Sequence, residues 1–232
     1  IFFSYNLVMN KKWYIIFLFI LAISIGIYAF IKGNQNNTLI NYKEEKIEVF
    51  NEYKNKVKVY FPNTKYSLLN RKIKVKIEKL LRDFNSHLND VIPNQYFSLD
   101  VNYDTYNYNN IISFVFNIES FYGGAHPDYE IWTISYDTKN NKVITIDSLL
   151  KKYPNILTKL SNNAYNLLKN NPKLMESSYS KDMLIDGTKP LKENFNSFAF
   201  TDKGLIIFFQ RYQIAPYSMG DFHVIIPYNN IF

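Results

Sequence analysis

Cysteine is absent from all 232 residues. That excludes disulfides, thiolate metal sites, a cysteine nucleophile and a lipoprotein acyl anchor together. Histidine is nearly absent too, with only His87, His126 and His223. No two of them stand four apart and no H-E-x-x-H occurs, so the sequence offers no zinc-binding helix. There is no P-loop, no G-x-G-x-x-G and no G-x-S-x-G, which removes the usual signatures of phosphate binding, dinucleotide binding and a hydrolase nucleophile. No nucleic-acid-binding motif is present either. The reading is of a chain with no cofactor, no nucleic-acid partner and few routes to catalysis.

What the chain has is apolar and aromatic mass. Hydrophobic residues make up 47%, with 20 Tyr and 19 Phe, a composition that suits flat rings on pleated strands. The net charge is +7, and it is unevenly placed. Residues 43–82 hold 12 Lys or Arg against 5 Asp or Glu, while the remainder is balanced at 15 against 15. The excess reads as a solvated helix face or as a surface for anionic wall polymers or lipid head groups.

The N-terminal part reads as membrane-directed. Met9 opens "MNKKW", so residues 1–8 are expected to precede the translated start, and residues 1–12 form a short cytoplasmic stretch. The run Trp13–Ile31 carries no charge. At 1.5 Å per residue it spans roughly 29 Å, about one hydrocarbon core. Lys11 and Lys12 before it predict an N-in anchor with the rest exported. A cleaved signal peptide is the rival reading, although the run exceeds the usual ~7–15 apolar residues and Ile27 before Ala29 makes a poor cleavage site. Residues 32–45 are polar and read as a linker. The exported chain divides into a module at 46–118 and a second at 119–232.

Periodicity predicts an α+β fold, an antiparallel sheet of hairpins packed with helices. Val57, Val59 and Phe61 alternate with polar residues in a strand ending at Pro62. Leu69, Ile73, Ile77, Leu80, Leu81, Phe84 and Leu88 form the stripe of a six-turn helix with Ser67 as N-cap, and Val75 falls off it. Hairpins are expected around Asn109–Asn110, at "TKNN" 138–141 and at "DKG" 202–204. Short helices are expected from Asp147 and from Pro154, and a last strand at "FHVIIPY". Pro172, Gly187 and Pro190 predict irregular structure between.

Two segments stand out as candidate sites. In "SFYGGAHP", Tyr122 closes a strand, Gly123 and Gly124 permit a positive φ or a close backbone approach, and Pro127 suits entry to an edge strand. Those residues account for a turn, so His126 reads as structural. The alternatives are a metal site with Asp128 or Asp221, or a carboxylate pair of Glu119 and Asp128 working on a glycan. In "RYQIAPYSMGDF", residues 211–222, the rings of Tyr212, Tyr217 and Phe222 and the ring of Pro216 sit in a loop between strands. Such a loop is a common place for binding or, alternatively, folds back over the core.

Three stretches taken together, "SFYGGAHPDY", "YDTKNNKVITIDSLL" and "FAFTDKGLIIFFQRYQIAPYSMGDFHVIIPYNNI", resemble the C-terminal module of the lysozyme-sensing anti-sigma factors, a module that also accompanies some bacterial peptidoglycan deacetylases. "VKVYFP" followed by "LLNRKIKVKIEKLLRDF" is similar to the smaller module that precedes it, so the resemblance runs from Lys46 to Phe232. It implies an exported sensor or accessory domain near the cell wall. The sigma-binding segment and the metal-binding deacetylase domain of those families have no counterpart in these stretches, so no catalytic residue carries over. The expectation is therefore a single-pass protein of a bacterial membrane whose exported part binds a wall polymer or envelope protein. An enzyme acting on peptidoglycan is the alternative.

Overall fold

The computed structural model describes residues 42–50, 55–87, 96–175 and 180–232. The expected anchor, Trp13–Ile31, lies outside them, and among the described residues no helix is long and apolar enough to cross a membrane. Among the described residues nine strands form two sheets. The larger has six strands in sequence order: β1 (Tyr42–Phe50), β2 (Lys56–Thr64), β3 (Ser98–Tyr108), β4 (Ile111–Phe121), β5 (Asp128–Asp137) and β6 (Lys142–Ile144). The smaller is β7 (Phe198–Phe200), β8 (Leu205–Phe209) and β9 (Phe222–Ile226).

Helix α1 (Ser67–His87) connects β2 to β3, which pair in parallel. The sheet is therefore mixed, because a parallel pair needs a crossover of this kind and a hairpin cannot supply it. All the other pairs are antiparallel. The predicted stripe of α1 is the buried one: Leu69, Ile73, Ile77 and Phe84 are nearly inaccessible, and Leu80 and Leu81 pack at the margin. Val75 is exposed, and Leu88 lies outside the described residues. The turn before the helix is closed by Asn70, whose side chain accepts from the Thr64 amide and donates to the Thr64 carbonyl.

Several sequence expectations change here. Residues 42–45 belong to β1, paired with Phe61 to Thr64 of β2, and are not a tether. β1 is almost wholly exposed and carries Lys43, Glu44, Glu45, Lys46 and Glu48, which kept it from reading as a strand. The segment between Pro172 and Pro190 is also more regular than expected. After α2 (Ile146–Lys152) and α3 (Ile156–Leu168) come α4 (Pro172–Met175) and α5 (Ser180–Gly187). Pro154 precedes α3 in a turn and is not its first residue. The division at 118–119 falls inside β4, within one continuous sheet.

The six-stranded sheet is covered on both faces. One face packs on α1 around Val59, Leu99, Phe114, Phe116 and Tyr136. On the other, Tyr108, Ile111 and Ile144 join a second core built from α2–α5 and the three-stranded sheet, centred on Ile156, Leu160, Phe195, Ile207 and Ile226. Near the chain end, Tyr228 accepts from the Thr201 amide (3.0 Å) and donates to the Thr201 carbonyl (2.7 Å).

Burial raises the pKa of the Tyr228 phenol above its ordinary value. The neutral form is therefore the one the fold favours. Its contribution should be full below the unfolded phenol's pKa of about 10 and fall as pH rises beyond it. Tyr228→Phe should lower stability at neutral pH by about 1–3 kcal/mol and flatten the alkaline loss. Urea titrations at neutral pH and above pH ~10 check both.

Candidate functional site

The two segments singled out in the sequence meet at one place. β4 ends at Phe121, and the chain turns through residues 122–127 into β5. Gly123 has φ 81°, the left-handed backbone that only glycine adopts without strain. A Cβ on Gly124 would find open space, with nothing closer than 4.0 Å. Gly123→Ala should therefore cost about 1–2 kcal/mol, and Gly124→Ala should be nearly neutral. Parallel thermal melts separate the two.

Tyr122 leaves the turn in the opposite direction. It stacks on His87 (4.3 Å between centroids) and packs near Phe84 and Phe97 in the first core. It belongs to the core and not to the loop site.

His126 and Pro127 face the β8–β9 loop. The His126 ring stacks on Tyr217, with centroids 3.9 Å apart and planes 23° apart. The Tyr217 hydroxyl donates to the Pro127 carbonyl at 2.7 Å, and His126 Nδ1 lies 3.0 Å from the same oxygen. Pro216 caps the short 3₁₀ turn Tyr217–Met219 that presents the phenol.

Arg211 completes the cluster. Its guanidinium lies 3.6 Å from the centre of the Tyr129 ring and 4.5 Å from that of Tyr217, and its Nε donates to Asp221 Oδ1 at 2.9 Å. Glu119 stands opposite Tyr129 across β4 and β5, and its carboxylate, with burial, raises the phenol's pKa. Arg211 and Tyr129 were not foreseen. The pattern that could have found them is an arginine in the aromatic loop and a tyrosine two residues beyond Pro127.

The carboxylates weighed as catalytic or metal partners are dispersed or engaged. Asp221 is held by Arg211, and Glu119 stands opposite Tyr129. Asp128 is exposed, and His223 is on β9 facing Phe208 at 5.9 Å. Among the described residues no group of three or more His, Asp or Glu is placed to hold a metal ion.

Tyr212 is strained and exposed at once. It occupies the third position of a turn closed by the Gln213 amide on the Gln210 carbonyl (3.0 Å), with φ 66°. Glycine or asparagine ordinarily fills such a position. The side chain remains 58% accessible and lies 5.6 Å from Tyr217, so little burial offsets the backbone strain. Strain of this sort, left uncompensated by packing, points to a functional demand on the residue.

Beside the cluster runs a groove of about 560 Å³, shared by Tyr129 and the Gln210–Gln213 turn and walled by Trp132, Phe208, Glu193 and Asn196. It follows the free edge of β5, because β6 pairs only with Ser135–Asp137. The Gln210 side chain closes part of that edge. Its Oε1 accepts from the Ile131 amide (2.9 Å), and its Nε2 donates to the Ile131 carbonyl (2.7 Å).

Residues 147–229 match the model of DUF3298, a protein family of unknown function. Over 167 residues it is 30% identical to PdaC, a peptidoglycan-N-acetylmuramic acid deacetylase of Bacillus subtilis (strain 168), covering 70% of this chain. The chain spans only 35% of that protein's length. Two DUF3298 crystal structures share the fold. One, from Pseudomonas aeruginosa PAO1, has a TM-score of 0.58 at 17% identity, covering 82% of this chain and 92% of its own. The other, from Bacteroides fragilis NCTC 9343, has a TM-score of 0.52 at 16% identity, covering 81% and 91%. The DUF3298 match takes in the loop of Arg211, Tyr212 and Tyr217, whereas His126, in the β4–β5 turn, and Tyr129, on β5, precede it.

Proposed function

We propose that this chain is a membrane-anchored, extracytoplasmic and non-catalytic module that binds or senses a ligand of the bacterial cell envelope. The observation that carries this reading is the cluster of His126, Tyr129, Tyr212 and Tyr217 around Arg211. Two loops some ninety residues apart in sequence converge to build it, and its charged groups are tied to one another. What it offers outward is ring surface, the currency of recognition on a rigid scaffold. The similarity to PdaC supports a place beside peptidoglycan as an accessory module. The resemblance of "YGGAHP" and "IAPYSMG" to the module of the anti-sigma factors supports a sensing role, and the charge-free run Trp13–Ile31 supports anchoring.

The test is co-sedimentation of the full chain, in detergent, with purified sacculi. The chain should pellet with sacculi and remain soluble without them. A chain that stays in the supernatant at every sacculus concentration would sink the proposal. The PdaC similarity also favours a second reading, an enzyme on peptidoglycan. Acetate or reducing ends released from sacculi by the purified chain, and not by a preparation lacking it, would establish that reading instead.

A further inference from the structure

The cluster and the groove beside it form one surface, because Tyr129 and the Gln210–Gln213 turn belong to both. We propose that this surface is a saccharide-binding site, with one sugar unit laid against the exposed ring of Tyr212 and the linked unit seated in the groove against Glu193 and Asn196. The proposal rests on the envelope reading above and narrows it to a ligand class.

Three observations select a saccharide. The first is the strained turn. A tyrosine held at φ 66° with more than half its surface in solvent contributes little to the fold. Its value lies in the position of its ring. The faces of aromatic rings are electron-rich, and the axial C–H face of a pyranose is the complementary flat, weakly positive surface. Tyr217, itself stacked on His126, stands beside that ring with centroids 5.6 Å apart.

The second is the groove's polar complement. Asn196 and Glu193 are exposed at its wall and make no ion pair among the described residues. An amide and a carboxylate are acceptors and donors suited to hydroxyl and acetamido groups. The volume, about 560 Å³, is in the range of small-ligand sites.

The third is what the surface disfavours. Two cations at its margins are ion-paired, Arg211 with Asp221 at 2.9 Å and Lys76 with Glu130 at 2.5 Å. The charged residues that line the groove itself are the carboxylates Glu130 and Glu193, which disfavours a polyphosphate chain. An extended peptide would add to the β5 edge through main-chain hydrogen bonds. The Gln210 amide already fills the N–H and C=O of Ile131 there, and so blunts the edge against a new strand.

The experiment titrates the full chain, in detergent, by calorimetry with an N-acetylglucosamine tetrasaccharide and, separately, with poly(glycerol phosphate). It is paired with sedimentation on sacculi stripped of anionic polymers. The tetrasaccharide should bind and the polyphosphate should not. Tyr212→Gly should weaken tetrasaccharide binding by about tenfold or more, with a melting temperature equal to or above that of the unaltered chain, because glycine relieves the turn. Asn196→Ala should weaken binding severalfold without a change in melting temperature. Undiminished binding by Tyr212→Gly overturns the site. Retention on stripped sacculi with no tetrasaccharide response overturns the saccharide class and leaves the envelope reading standing. Binding of poly(glycerol phosphate) alone overturns it in favour of a polyanion, and failure on sacculi as well overturns both readings.

Discussion

Replacing Gly187 with alanine is expected to destabilise the protein by roughly 3 kcal/mol, the reverse of what its place in a helix suggests. Gly187 is the last residue of α5. By helix propensity alone, glycine to alanine gains about 1 kcal/mol. Here the added Cβ would stand 2.1 Å from the Gln213 carbonyl oxygen and 2.6 Å from Ile214 Cγ2. The nearest atom is backbone, so the clash cannot be relieved by turning a side chain away. The approach is held by the Gln213 side chain, which donates to the Gly187 carbonyl at 3.0 Å. A domain of this size should lose roughly 6–12 °C in melting temperature for that change. The displaced residues adjoin Tyr212, so the exposed ring should move as well. Thermal melts of Gly187→Ala beside Gly124→Ala decide the matter. A Gly187→Ala protein as stable as its parent would show that the close approach is not real.

The same glycine shows where the sequence stopped being informative. Pro172, Gly187 and Pro190 read as breakers, yet Gly187 terminates a helix because another backbone passes within contact of it. That neighbour is 26 residues away, and nothing local announces it. α1 was legible because its burial repeats along one helix face, so each turn restates the pattern. The Asn109 turn, φ 50°, and the Gly204 turn, φ 147°, were legible because their residue types serve unusual backbone. β1 was not, since an exposed edge strand rich in Lys and Glu carries little hydrophobic signal. The parallel β2–β3 pair was not, because strand order is a long-range choice. The two loops of the site could be named singly from their glycines, prolines and tyrosines. Their convergence, and the insertion of Arg211 between Tyr129 and Tyr217, required the fold.

Ser113 was hidden for a related reason, and its replacement carries the other large expected effect. β4 reads as an alternating strand, but Ile112 through Phe116 are all buried, since the sheet is covered on both faces. Ser113 sits in the middle of that run at 0% exposure, directly opposite Ser135 on β5, and the two hydroxyl oxygens are 2.8 Å apart. The pair exists to receive an edge. β7 bonds to β8 on one side only, and its other side stands against the large sheet. There the Phe200 amide donates to Ser113 Oγ at 3.1 Å, and the Phe198 amide donates to Thr133 Oγ1 at 3.0 Å. Side-chain oxygens thus take the place of a missing strand. Ser113→Ala removes the acceptor, leaves the Phe200 amide buried without a partner and strips Ser135 of its neighbour. The expected loss is about 2–3 kcal/mol in urea or thermal unfolding. Ser135→Ala leaves the Phe200 bond in place and should cost less, about 1 kcal/mol. The double variant should cost little more than Ser113→Ala alone, because the pair acts through one amide. Equal costs for the two single variants, summing in the double, would show that the hydroxyls stabilise β4 and β5 independently and do not serve to seat β7.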